Sequence, residues 1–421
     1  MSWCFLFPNS FLSVSPSIDS PRQDLKDMNV EERALYLVHL LKTCARHTED
    51  GQFKKASAGL ECIASVAAPD GDPMQRLATY FLDGLAYRLV KNIRGVPEAL
   101  NLSNPLSTLA QQYARKLFFE FCPFLKFSYL ISNQTIVEAM EGEQVIHIID
   151  LNACDAGQWI SLLHSLKEQR QGSPLPYVKI TGIHENKGVL EQMRIQLIEE
   201  SEKMSIPLDF YPIESQLEKL CFDKLPVKPG ELLAVSSVLQ LHSLLAVEDQ
   251  ISPDSVLPPN PSQFDSPKMR WFLSSLWKLK PRLMVITEQE SDNNGPSVTD
   301  RLDKALNFYA ALFHCLEGNV PKARAIERIM MERMLLGEEI KNIITCDGVD
   351  RKERHGKFSN TWHPWLKLAG FKRVPLHYER MLQVTRPLQS YGRGYKLLEN
   401  NQCLLTCWND LPLYSISAWR F

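Results

Sequence analysis

The residues of this chain best suited to chemistry follow the apolar run Val145–Asp150, VIHIID. There the chain reads Asp150-Leu151-Asn152-Ala153-Cys154-Asp155-Ala156-Gly157-Gln158-Trp159. An acid closing a buried strand, then a turn into a helix, is where α/β proteins hold nucleotide-like cofactors. That chemistry needs glycines, which let backbone approach the ligand, and a helix N-terminus to receive negative charge. Only Gly157 is present, and it comes late. Glu185 follows the next strand, where an acid would bind a ribose hydroxyl, so half of the pattern survives. The alternative is structural: Asp150 caps local backbone and Trp159 packs on the sheet.

Other reactive side chains give weaker signals. His147 lies inside the apolar run and reads as a hydrogen-bonded core histidine rather than a base. His184, His242, His355 and His363 are scattered, with no H-x₃-H or H-E-x-x-H spacing, so no zinc signature stands. G-x-S-x-G is absent. Two L-x-x-L-L strings occur, one with Leu37, Leu40 and Leu41, the other with Leu241, Leu244 and Leu245. Such strings can dock a helix in a partner's groove, and the first is the candidate partner helix. They also arise as core on any Leu-rich helix, which is the stronger reading for both.

Positioning these residues requires two kinds of structure. The first 140 residues read as helices, at 31–46, 51–66, 73–90, 105–121 and 133–140, behind a Ser/Pro-rich leader at 1–27. Strands at 145–150, 177–183, 208–213, 231–236 and 282–288 then alternate with helices at 159–170, 189–203, 214–222 and 269–280. That alternation indicates βαβ units and a mostly parallel sheet buried on both faces. Short strands at 395–398, 404–408 and 413–419 close the chain and imply antiparallel pairing, with Trp419 anchoring the sheet edge. The expected fold is α/β, Rossmann-like in the class I methyltransferase manner, with antiparallel C-terminal strands and an α-helical cap. Residues 28–140 form most of the cap, 299–338 a helical insertion joining it, and 141–298 with 339–421 the α/β core. Residues 252–268, with five prolines, read as a mobile surface loop.

Composition narrows the function classes. The chain has 421 residues, 44% hydrophobic and 23% charged, which is enough apolar surface for a sizeable core. No stretch reaches the length of a membrane helix. Ten cysteines are spread singly, as reduced core thiols are. The net charge of −2 argues against a strongly basic nucleic-acid binder. It is unevenly distributed, however. Arg351–Phe421 holds twelve Lys/Arg against four Asp/Glu, or +8, leaving −10 on the remainder. The densest piece is Arg351-Lys352-Glu353-Arg354-His355-Gly356-Lys357. A positive lobe of this kind can hold phosphates or an acidic partner, or can pair with the acidic remainder.

An ordered set of motifs resembles the plant GRAS family of transcriptional regulators. The first Leu-rich block looks like 35–89 and the second like 189–220. The VHIID core is similar to Ile146-His147-Ile148-Ile149-Asp150, with Gln158-Trp159 downstream. The PFYRE region is similar to Pro281 with Glu288-Gln289, Phe308-Tyr309, and Arg351 to His355. The SAW motif is similar to Trp362 with Gly370, Trp408, and Ser417-Ala418-Trp419. The run 337–344 and the LYSISAWR ending look most like the Scarecrow-like-3 subgroup. One departure is Gly356, where the family usually has Glu.

The resemblance covers residues 28–421 and implies a nuclear, non-enzymatic co-regulator, present also in the cytoplasm. It implies action through zinc-finger DNA-binding proteins and other GRAS or DELLA proteins, often as a dimer, in gibberellin-linked development. It implies no cofactor and no metal. Two alternatives stay open: direct DNA binding as a dimer through the basic C-terminal segment, and a ligand or methyltransferase pocket at Asp150, Gly157 and Glu185.

Overall fold

The computed structural model describes residues 28–93, 108–169, 174–246, 266–386, 391 and 394–421. The leader at 1–27 and residues 252–265 of the expected loop lie outside them. The chain opens with helices α1 (Val30–Glu49), α2 (Phe53–Val66), α3 (Pro73–Val90), α4 (Thr108–Phe121) and α5 (Phe124–Ala139). Their starts are written in the sequence. Asn29 accepts from the Glu32 N–H while Glu32 reaches back, a capping box. Asp72 does the same with Gln75, ahead of Pro73 in the first turn.

The α/β part follows as β1 (Val145–Asp150), α6 (Gly157–Gln169), β2 (Tyr177–His184), α7 (Lys187–Met204), β3 (Leu208–Glu214), β4 (Leu233–Val238), α8 (Pro267–Lys278) and β5 (Leu283–Gln289). Then come α9 (Val298–Asn319), α10 (Ala325–Met331), α11 (Glu338–Thr345), α12 (His363–Leu368), β6 (Lys372–Val374) and α13 (Tyr378–Thr385). The hairpin β7 (Tyr395–Asn400) and β8 (Cys403–Trp408) precedes the last strand, β9 (Leu411–Arg420). A π-helical turn, Glu332–Gly337, joins α10 to α11.

The sheet order is β3-β2-β1-β4-β5-β9-β8-β7, with β6 also on β9. The first five strands are parallel and the rest antiparallel. Alternate residues of each central strand face opposite layers. Ile146 and Ile148 join the core under α5, α6 and α7, whereas Ile149 joins the core under α8 and α12. A third core unites α1, α2, α3, α4, α9 and α11 as the cap.

Three expectations need correction, and one strand went unannounced. The segment 214–222 is not an α-helix but contains the 3-10 turns Leu217–Lys219 and Phe222–Lys224. In a 3-10 turn residues i and i+3 share a side, which buries Leu217 and Leu220 together. The loop expected to run to 268 already ends at Ser266, whose hydroxyl caps α8. Trp419 is not at a sheet edge, because β9 lies between β5 on one side and β6 and β8 on the other. Strand β6 is too short and too polar for its period to announce it.

Candidate functional site

The turn after β1 satisfies its own polar groups. The Trp159 indole N–H donates to Asp150 Oδ2 at 2.7 Å, and the Asn152 N–H donates to Asp150 Oδ1 at 3.0 Å. Burial pushes the Asp150 carboxyl up to about 6, although both hydrogen bonds pull the other way. The Gly157 N–H, at the start of α6, donates to Asp155 Oδ1 at 2.8 Å. Asn152 Nδ2 donates to the Val238 carbonyl, and the Ala153 N–H to the Ile183 carbonyl. Ala153, Ala156 and Trp159 are buried, and Gln158 packs beside Ser236. His147 is fully buried, with Nδ1 2.9 Å from Glu231 and Nε2 2.9 Å from Thr181 Oγ1. Glu185 stands apart, exposed and accepting from Gln216. It lines an open cleft of about 400 Å³ with Glu214, Ser215, Gln216 and Lys219, which neither Asp150 nor Gly157 reaches.

A second polar cluster gathers residues far apart in the chain. Glu288, near the end of β5, accepts through Oε1 from the N–H groups of Gln240 (3.1 Å) and Leu241 (2.7 Å). Its Oε2 lies 3.2 Å from His242 Nδ1 and 3.9 Å from His355 Nδ1, the latter too long for a hydrogen bond. Glu353 Oε2 lies 2.8 Å from His355 Nε2 and 3.5 Å from His242 Nε2. The two imidazole ring centres lie 3.9 Å apart, with the rings tilted by 39°. Burial alone would raise both carboxyls, but the facing imidazoles hold each at about 2. Burial would lower His355, and the two carboxylates instead lift it to about 9. His242, Glu288 and His355 each offer one ligand atom within 4.8 Å of the others. Sequence reasoning missed His242, because it sits inside an L-x-x-L-L string with no local partner.

The remaining motif residues hold the fold together. Tyr309 of α9 donates to Glu339, which also accepts from Gln289 of β5, and Phe308 packs near Tyr414. Trp408 donates to His314 of α9, tying β8 to the cap. Trp362 is buried, and Gly370 ends α12 with φ +91° in a Schellman turn. A Cβ there would also meet Trp277 Nε1 at 3.1 Å. Ser417, Ala418 and Trp419 pair with Ile286, Val285 and Met284, and the Trp419 indole donates to Ser417.

Two candidate surfaces are not surfaces. Leu37, Leu40 and Leu41 are buried in the cap core, because α1 turns this stripe toward α2 and α3. Arg351 and Arg354, the heart of the basic segment, are 2% and 4% exposed. Arg354 donates to the carbonyls of Arg351 (3.1 Å) and Gly348 (2.8 Å) and to Asn294 Oδ1 (3.2 Å). Arg351 donates to the carbonyls of Asn293 and Gly295. Two charges counted toward a positive lobe therefore brace the loop after β5.

Comparison with known proteins agrees with this architecture. The GRAS domain family matches residues 37–420. The chain is 45% identical to GRAS family protein TF80 of Medicago truncatula, over 96% of this chain and 99% of that one. It is 44% identical to Scarecrow-like protein 3 of Arabidopsis thaliana, over 95% and 92%. It is 32% identical to DELLA protein GAI1 of Vitis vinifera, over 93% and 62%. The crystal structure of SCL7 from Oryza sativa superposes with a TM-score of 0.75 at 27% identity, covering 91% of this chain and 99% of that one. With the motifs in order, the parallel sheet closed by SAW-type strands and the cap over it, the chain belongs to the GRAS domain family.

Proposed function

We propose that this protein is a non-enzymatic transcription regulator, acting in the nucleus through contacts with other proteins. The observation that carries this is the turn after β1. Its carboxylate and the Gly157 amide, the groups a cofactor would use, are bonded to neighbouring side chains and backbone of the same turn. Relatives named DELLA proteins and a gibberellin-responsive protein of Oryza sativa favour partners among GRAS and DELLA proteins and a role linked to gibberellin. DNA contact is then supplied by zinc-finger proteins. Exposed apolar side chains support protein contacts: Leu109 and Tyr113 on α4, and Ile326 and Ile329 on the adjoining α10.

A gel-shift titration with and without a DNA-bound zinc-finger protein tests the reading. The expected result is weak binding alone and a supershift with the partner, lost when Ile326 is changed to Asp. Tight sequence-specific binding by the isolated chain would overturn it and favour the direct DNA-binding dimer. For that alternative, Lys352, Lys357, Lys367, Lys372 and Arg420 are among the exposed cations of the basic segment and are the ones to change. Heat on titrating S-adenosylmethionine would instead favour the ligand-pocket reading.

A further inference from the structure

We infer that His242, Glu288 and His355, backed by Glu353, form a buried structural site for a divalent transition ion of the zinc type. The inference is independent of the regulatory reading above. Two imidazoles and a carboxylate are the donors such ions take, with ligands about 2.0–2.2 Å from the ion. His242 Nδ1 and Glu288 Oε2 are 3.2 Å apart, which is already close to the separation of neighbouring ligand atoms around one ion. His355 Nδ1, 3.9 Å from Glu288 Oε2, needs to close by only about 0.5 Å.

Second, independent observations point the same way. His355 is 1% exposed, and its Nδ1 has no hydrogen-bond partner while facing the Glu288 carboxylate. That atom is one an ion would bind. The outer contacts are those metal-bound groups use. Glu288 Oε1 is fixed by two backbone amides, leaving Oε2 for the ion. His355 Nε2 is held by Glu353, which directs Nδ1 inward. The two carboxylates draw positive charge to this cluster, and an ion bound at Nδ1 would take the place of the proton that they hold on His355. Glu353, which touches both imidazoles, also lines a cleft of about 400 Å³ at the cap boundary with Arg115, Glu339 and Asn342. The ion would join the turn after β4, the end of β5 and the segment after α11.

The test uses the full-length chain, stripped with chelator and titrated with Zn²⁺ alone, and separately with Co²⁺. One zinc per chain is expected, with visible d–d absorption for cobalt that zinc displaces. Glu353→Gln should weaken binding by roughly 10- to 100-fold, and His355→Ala should abolish it. The cobalt spectrum of the native chain needs no variant, so a variant that fails to fold does not blunt the test. No d–d absorption and no stoichiometric zinc would overturn the site. Cobalt–thiolate charge-transfer bands would place the ion on cysteines and overturn it equally.

Discussion

Replacing Arg354 with Gln separates two meanings of a basic cluster. If this side chain met DNA phosphates, its loss would weaken DNA binding and leave the fold alone. The structure requires the opposite. Three charge-assisted hydrogen bonds hold Arg354 to the Arg351 and Gly348 carbonyls and to Asn294. Hydrogen bonds to a charged group contribute about 1.5–3 kcal/mol net each, and three sharing one guanidinium do not add fully. Gln restores at most one of them, so the expected loss is about 3 kcal/mol. Lys352, next door and exposed, should stay within about 0.5 kcal/mol of wild type as Gln. Urea unfolding followed by tryptophan fluorescence reads the difference. With a slope near 3 kcal/mol per molar, the Arg354→Gln midpoint should fall by about 1 M. The slope of DNA affinity against salt, measured where the variant is folded, should not change. An unchanged midpoint with a salt slope reduced by about one would refute the reasoning.

Three further outcomes follow from other buried groups. Trp419→Ala, in the interior strand β9, should destabilise by about 3–5 kcal/mol, and an unaltered melting temperature would contradict its placement. Arg76→Met should cost about 3–5 kcal/mol by removing the closer of the two guanidinium groups that pair with buried Glu332, whereas Arg76→Met with Glu332→Leu should recover most of it in the same denaturation assay. For Asp150, the folded state holds the proton more tightly than the unfolded chain. Its contribution is therefore present below about pH 4 and lost as pH rises through about 6. Asp150→Asn lacks this loss, so its stability relative to wild type should rise by on the order of 3 kcal/mol between those limits. A difference independent of pH would show that Asp150 is not held as the structure places it.

The α/β order was legible because it rests on local signals. VIHIID has no polar alternation, as a strand covered on both faces must, and Asp72-Pro73 and Asn29 mark helix starts by capping chemistry. The missing glycines around Asp150 were legible too, since residue type alone decides how closely backbone can approach a ligand. The His242–Glu288–His355 cluster was not, because its members are 46 and 67 positions apart and meet only through the sheet order. The basic segment misled for a related reason. A charge count sees Arg351 and Arg354 but not the carbonyls of Asn293, Gly295 and Gly348 that take them inside.

The Arg76–Glu332 pair has a consequence for how the protein is made. The two residues lie 256 positions apart, and Arg76 sits in a cap core that α9 and α11 complete. At roughly 5–20 residues per second, about 13 to 50 s pass between their emergence from the ribosome. During that wait the first three helices present an uncovered apolar face with a guanidinium in it. The nascent chain must be shielded over this interval, and a message truncated before α9 would yield a sticky fragment rather than a small working unit.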